Sequence, residues 1–187
     1  LHDALPIYIV NHIHDISPDI KICLIMPYIP NARFDRTVEA DEVFTLKFFA
    51  NIINSLKFNS VEVLDPHSHV SEALFDRLSI QSPDIYIKRI IKKLPDDTML
   101  FFPDEGSVKR YYNLPKYCGS YAFGIKRRNW VTGKIEGLDV AGDAEKIKGR
   151  NILIVDDICS KGGTFYHSAL KLKELGATNI YLYVTHC

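Results

Sequence analysis

Apolar residues in this chain fall into short unbroken runs that alternate with helical stripes, the order expected of an α/β architecture. Residues 20–26, with KICLIM as their core, read as a buried strand that ends at Pro27, and the polar, proline-marked loop PYIPNARFDR follows. Over residues 42–56 the apolar positions Val43, Leu46, Phe49, Ala50, Ile53 and Leu56 keep the helical period. Residues 61–64 make a short strand running into Asp65-Pro-His-Ser-His. The pattern then restarts: a helix over 84–94 between Pro83 and Pro95, a strand over 99–102, a loop PDEGSVKR leading to a helix or turn through Tyr112, and a strand over 121–125. Residues 152–155 form an apolar, mostly β-branched run without alternation, which suits a strand buried on both faces of a parallel sheet. A helix over 165–175 places Leu170, Leu172 and Leu175 on its apolar side and ends at Gly176, and a last strand covers 180–184. The restart places a domain boundary near Ser82, with one α/β domain over 1–82 and another over 83–187. The opening LHDALPI has no clear period or cap.

The densest chemistry lies in NILIVDDICSKGGTFY, where a buried strand, an acidic pair and a glycine turn follow in order. Ligands of open α/β sheets bind outside the carboxyl ends of strands. Asp156 and Asp157 stand there, able to accept hydrogen bonds from sugar hydroxyls or to hold a divalent cation. Gly162 and Gly163 let the backbone take a positive φ and approach a ligand, and Thr164 is placed to cap the helix. Backbone N–H groups at that helix start form an anion site suited to a phosphomonoester. A βαβ unit with an acidic loop and no ligand is the plainer alternative.

Further candidates sit at other strand ends. Arg33, Asp35 and Arg36 offer two guanidinium groups able to clamp a polyphosphate, or else form a solvated cluster. His67 and His69, two apart, share a face of an extended chain, and of the two His67 is the preferred metal candidate. Asp104 and Glu105 end another strand, where a carboxylate can hold water around a magnesium ion, or else they are ordinary surface acids. Lys126, Arg127 and Arg128 form the densest positive point, read as a mobile loop running into the polar stretch 129–134 and able to stabilise charge on a reacting phosphate, or else as a solvated face.

Composition narrows the rest. At 187 residues, 47% apolar and 25% charged, the chain has enough material for one domain or two small ones. The formal net charge is zero, so no global field favours nucleic acid or an anionic membrane. Cys23, Cys118, Cys159 and Cys187 lie far apart with no C-x-x-C, which points to a reducing cytoplasm. No apolar run approaches the ~20 residues of a membrane span, and no signal peptide is visible. Leu1 stands where a methionine would start a chain, and Cys187 directly follows a strand. A fragment cut at both ends, with residues 1–7 of doubtful origin, is therefore expected.

In order and approximate spacing, PYIPNARFDR, DPHSH, FFPDEGSVKR, GIKRR, the Gly142-Asp143 pair, IVDDICSKGGTF and YVTHC resemble ribose-phosphate pyrophosphokinases, also called phosphoribosyl pyrophosphate synthetases. The resemblance covers roughly residues 20–187. It implies two phosphoribosyltransferase-like domains with parallel sheets flanked by helices, both incomplete here. It also implies transfer of the diphosphoryl group of ATP to the anomeric hydroxyl of ribose 5-phosphate, with Mg2+ as cofactor. Carried over by position, Arg33, Phe34, Asp35, Arg36 and His67 belong to the ATP site of the first domain, with His67 also beside the metal. Asp104 serves the magnesium site, and Lys126 and Arg128 are the catalytic cations. Asp156 and Asp157 hold the ribose hydroxyls, while Ser160, Lys161, Gly162, Gly163 and Thr164 cradle the 5-phosphate. The resemblance further implies small-molecule partners, no nucleic acid, no membrane and a homo-oligomer in the full-length protein. Phosphoryl-type transfer needs positioning and charge neutralisation more than a covalent nucleophile, and no nucleophile triad is evident.

Departures from the family pattern are specific. Phe34 stands where glutamine is usual, Ser160 and Lys161 replace an Asp-Thr pair, and Asn31 and Pro66 also differ. They put nucleotide specificity and regulation in doubt. Two other readings stay open: a phosphoribosyltransferase that builds a nucleotide from a base, and a catalytically silent homologue that regulates an active one.

Overall fold

The computed structural model describes residues 4–128 and 135–187, except the side chains of Arg128, Ile135 and Glu136. The chain divides into two compact units, Leu1–Ser82 and Pro83–Cys187. Each is α/β.

In the first unit the order is α1 (Leu5–Ile16), β1 (Cys23–Ile25), α2 (Thr45–Ser55), β2 (Ser60–Leu64), α3 (Val70–Leu74) and β3 (Leu78–Gln81). The strands form a parallel sheet in the order β1-β2-β3. Val61 and Val63 of β2 point into a core shared with Leu46, Ala50 and Ile53 of α2, the stripe that the helical period marks. The expected buried strand at 20–26 shortens to three residues at the sheet edge, and Ile25 is 71% exposed. An edge strand has a neighbour on one side only, so an apolar run there does not imply burial on both faces. The opening segment, without evident period, forms α1 with Pro6 in its first turn and Val10 buried against the same core.

The second unit holds α4 (Asp84–Ile91), β4 (Met99–Phe102), α5 (Glu105–Arg110), α6 (Pro115–Cys118), β5 (Tyr121–Arg128), β6 (Ile135–Gly142), β7 (Ile152–Ile158), α7 (Gly163–Glu174) and β8 (Ile180–His186). A 3-10 turn at Ala144–Lys146 precedes β7. Strand order is β6-β5-β4-β7-β8, parallel except for the antiparallel pair β5-β6, so the sheet is mixed rather than purely parallel.

Both central strands are apolar without a break because both faces are covered. Leu100, Phe102, Leu153 and Val155 pack into one core with Ile87 and Tyr111. Met99, Phe101, Ile152 and Ile154 pack into the other with Phe165 and Leu172. Leu170 of α7 faces outward instead of joining the core, and Leu172 carries the burial. At the amino-terminal edge of the sheet, Asn151 donates to Asp97 at 2.7 Å and accepts from Asn179 at 2.8 Å, tying together the starts of β4, β7 and β8.

Leu153 is fully buried, so Leu153→Ala removes methyl groups from a packed core and is expected to cost about 3 kcal/mol in denaturant unfolding. Ile25→Ala, at the open edge, is expected to stay within about 0.5 kcal/mol of the parent. Similar losses at the two positions would contradict the assignment of β1 as an exposed edge.

Candidate functional site

Parallel pairing brings the carboxyl ends of β4, β5 and β7 to one edge of the second sheet. The acids at those ends meet there. Asp104 follows β4 and caps α5, its Oδ1 accepting from the Ser107 N–H at 3.1 Å. The expected loop PDEGSVKR is thus a helix. Asp104 at the N-cap, Glu105 in the first turn and Lys109 with Arg110 in the last turn match the helix dipole at both ends.

That one turn supplies two residues that the sequence did not single out. Ser107 donates its hydroxyl to Asp156 Oδ1 at 2.8 Å, and Arg110 Nη1 pairs with Asp157 Oδ1 at 2.5 Å. The spacing 104, 107, 110 keeps one face of α5 toward the acidic end of β7.

Asp156 and Asp157 lie within β7, not beyond it. Asp157 is 3% exposed and meets the Arg110 cation. Burial, together with the neighbouring Asp157 carboxylate, pushes the Asp156 carboxyl up to about 6, although Ser107 and the Asp157 N–H donate to it. For Asp104, burial also acts to raise the carboxyl. The Lys126 ammonium at 2.8 Å and the Ser107 donors outweigh it and hold Asp104 below the usual carboxylate value.

Lys126 is not on a free loop. It belongs to β5, opposite Leu138 of β6, because residues 135–142 return antiparallel and extend the strand through Arg128. The pairing slips between Arg127 and Arg128. The backbone of Arg128 lies in β5, while its side chain and the stretch 129–134, expected as a mobile loop, fall outside the described residues.

At the glycine turn only Gly162 takes a left-handed conformation, with φ of 72°; Gly163 is the first residue of α7. Thr164 does not cap the helix but sits in its first turn, and no side chain caps that end. The leading N–H groups of α7 therefore face outward unsatisfied by any cap, as an anion site requires. A Cβ built on Gly162 or Gly163 meets nothing within 4 Å, so the space beside the turn is open. Ser160 and Lys161 are exposed next to it. A cavity of about 300 Å3 runs along α7 from Thr164 past His167 to Glu174 and reaches Lys126 and Leu138.

In the first unit Arg33 is exposed and Phe34 is 60% exposed, while Asp35 is buried. Arg36 Nε pairs with Asp35 Oδ1 at 2.9 Å, so part of one expected clamp is committed to its neighbour. Burial acts to raise the Asp35 carboxyl, but Ser68, Arg36 and nearby His67 hold it below the usual carboxylate value. His67 is half-buried beside this group. His69 points away, its Nδ1 2.6 Å from Glu72. Among the described residues no cluster of three or more His, Cys, Asp or Glu side chains could by itself hold a metal ion.

The Asp156 shift sets a pH dependence with a definite sign. A carboxyl whose folded value is about 6 against a usual 3.8 binds its proton more tightly in the fold. Stability therefore falls as pH rises through that window. Asp156→Asn is expected to raise stability at pH 8 by on the order of 2 kcal/mol and to add little at pH 4.5, measured by thermal unfolding. An equal gain at both pH values would mean that charge is not the cause.

The chain matches no family model. It is similar to the ribose-phosphate pyrophosphokinase of Saccharolobus solfataricus, 27% identical over 168 residues, which are 89% of this chain and 57% of that protein. The enzyme of the same name from Bradyrhizobium diazoefficiens is 30% identical over 172 residues, 89% of this chain and 52% of that protein. That of Sulfolobus acidocaldarius is 26% identical over 181 residues, 96% of this chain and 61% of that protein. The chain thus spans about half the length of the curated relatives it matches. Among solved structures, the phosphoribosylpyrophosphate synthetase of Mycobacterium smegmatis superposes with a TM-score of 0.79 at 22% identity, over 95% of this chain and 58% of that one. Along nine-tenths of its length the chain is thus similar in sequence to ribose-phosphate pyrophosphokinases, and it shares the α/β fold of the Mycobacterium smegmatis structure.

Proposed function

We propose that the full protein transfers the diphosphoryl group of ATP to the anomeric hydroxyl of ribose 5-phosphate, giving 5-phosphoribosyl 1-diphosphate and AMP. One observation carries the reading. Asp104, Lys126, Asp156 and Asp157 converge at the carboxyl ends of three adjacent parallel strands of a unit whose α7 starts, uncapped, at an open glycine turn. The similarity to ribose-phosphate pyrophosphokinases along 89% of the chain supports it.

In this reading residues 83–187 take ribose 5-phosphate. Ser160, Lys161, Gly162, Gly163 and Thr164 surround the 5-phosphate, mainly through backbone N–H groups at the start of α7. Asp156 and Asp157 accept from the ribose hydroxyls. Residues 1–82 take ATP, with Arg33, Asp35 and Arg36 near the phosphates and the exposed ring of Phe34 available to stack on the base. Lys126 and Arg128 neutralise charge that builds on the transferring group.

Asp104 would hold magnesium through its water shell, and the ion would supply neutralisation of phosphate charge. The residues fit that use: the ion needs one or two carboxylates and keeps much of its water, and the Asp104 carboxylate is partly solvent-exposed. In the first unit His67, close to Asp35, would face the water shell of a metal ion carried by ATP, since magnesium prefers oxygen ligands.

The same proposal takes small molecules as partners, with no nucleic acid or membrane, in a cytoplasmic homo-oligomer. All four cysteines are free, and no described helix is long and apolar enough to cross a membrane.

Gly163→Val fills open space without a left-handed backbone to strain, so the fold should tolerate it. Calorimetry on the full-length protein should show ribose 5-phosphate binding weakened far more than ATP binding; equal losses would remove the phosphate from this turn. Lys126→Ala should lower kcat by ~100-fold or more while the KM for ATP stays within a few-fold. A raised KM at unchanged kcat would make the lysine a ground-state binder.

Given ATP, Mg2+ and ribose 5-phosphate, the full protein should release AMP. Detecting ADP would indicate an ordinary kinase. Nucleotide formation from a base and the diphosphate donor would indicate a phosphoribosyltransferase, and inactivity in both assays with ribose 5-phosphate bound would indicate a silent homologue.

A further inference from the structure

Ser107 has one hydroxyl proton and faces two carboxylates. Its Oγ lies 2.8 Å from Asp156 Oδ1 and 3.3 Å from Asp104 Oδ1, so the proton goes to Asp156. Asp104 can spare it, because Lys126 Nζ holds the other Asp104 oxygen at 2.8 Å and the Ser107 N–H reaches Oδ1 at 3.1 Å.

That balance depends on the cation. If Lys126 leaves, Asp104 keeps a negative charge without its ion-pair partner, and a charged acceptor draws a hydroxyl donor more strongly than a compensated one. The Ser107 proton can then turn toward Asp104 by rotation about Cβ–Oγ, with no heavy atom moving. Asp156 would be left with the Asp157 N–H at 3.0 Å and would lose the donor that pins its side chain. The Asp157 carboxylate and the Ser107 hydroxyl act directly on the Asp156 carboxyl, and Ser107 also meets the acid that holds Lys126.

We propose that Ser107 is a positioning residue that relays the engagement of Lys126 with Asp104 to Asp156, so that the grip on the ribose hydroxyls follows the position of the lysine. For its ligand the proposal rests on the function given above; the relay itself rests on the four contacts. While Lys126 rests on Asp104, Asp156 is held ready to receive the sugar; when Lys126 leaves with no other cation in its place, Asp156 loosens.

The test is a double-mutant cycle of Lys126→Met and Ser107→Ala in the full-length protein, without divalent ions, with two readouts of opposite sign. For ribose 5-phosphate binding by calorimetry, Lys126→Met should cost about tenfold in the parent, the worth of a hydrogen bond to a charged group. In the Ser107→Ala background, where Asp156 has already lost its donor, it should cost less than about twofold. For thermal unfolding without ligand the order reverses. Lys126→Met should lower Tm by about 3 °C more in the Ser107→Ala background, where no hydroxyl can turn to compensate Asp104. Additive effects in the unfolding cycle overturn the relay whether or not the sugar binds. If the parent fails to bind ribose 5-phosphate, the functional reading falls, and the unfolding cycle alone decides the relay.

Discussion

A carboxylate buried as deeply as that of Asp157 costs several kcal/mol unless a cation comes with it, and this requirement organises the second unit. Arg110 supplies the cation from the last turn of α5, which fixes that helix against the carboxyl end of β7. Once α5 is fixed, its N-cap Asp104 meets Lys126 and its Ser107 meets Asp156. Among the described residues Arg110 meets Asp157 and Lys126 meets Asp104, while Asp156 is met by a hydroxyl and an N–H. Burial, with the Asp157 carboxylate beside it, pushes the Asp156 carboxyl up to about 6.

Sheet topology makes this crowding possible. β4 lies between β5 and β7 with parallel pairing on both sides, so three strand ends open on the same edge. The polar ladder of Asp97, Asn151 and Asn179 at the opposite edge sets where β7 and β8 begin relative to β4. A strand has a period of two, so a shift of one residue would exchange Asp156 and Asp157 between the faces of the sheet. The ladder at one edge therefore protects the chemistry at the other.

How much of this was legible in the sequence depended on whether the deciding partner was local. β4 and β7 could be read because each is buried on both faces, and that burial shows as an unbroken apolar run. Gly176 could be read as the stop of α7 because its φ of 88° is a local demand. LSIQ of β3 carries little alternation, and it becomes a strand by pairing with β2. Residues 135–142, with Gly137 and Gly142, become one by folding back on β5, and that return turns the supposed lysine loop into a strand. In the site, the residue types were visible but most of their connections were not. Ser107 and Asp156 are 49 positions apart, and nothing near either announces the other. The exception is α5, whose Asp-x-x-Ser start and basic last turn were a local signal read as a loop.

The costs in this unit are not scattered. α7 starts without a side-chain cap, at a position where a good cap is worth about 1 kcal/mol. Asp156 is held where its charged form is disfavoured. The hydroxyl of Ser107 is shared between two acids that could each use a donor of their own. All three stand at the carboxyl edge of the second sheet, whereas the cores on its two faces are packed from fully buried apolar side chains. A ligand with a phosphate and vicinal hydroxyls would relieve the first two together, giving the α7 N–H groups an acceptor and the Asp156 carboxylate new donors. In the proposed function, the stability given up along this edge would be regained when such a ligand binds, converting local frustration into affinity.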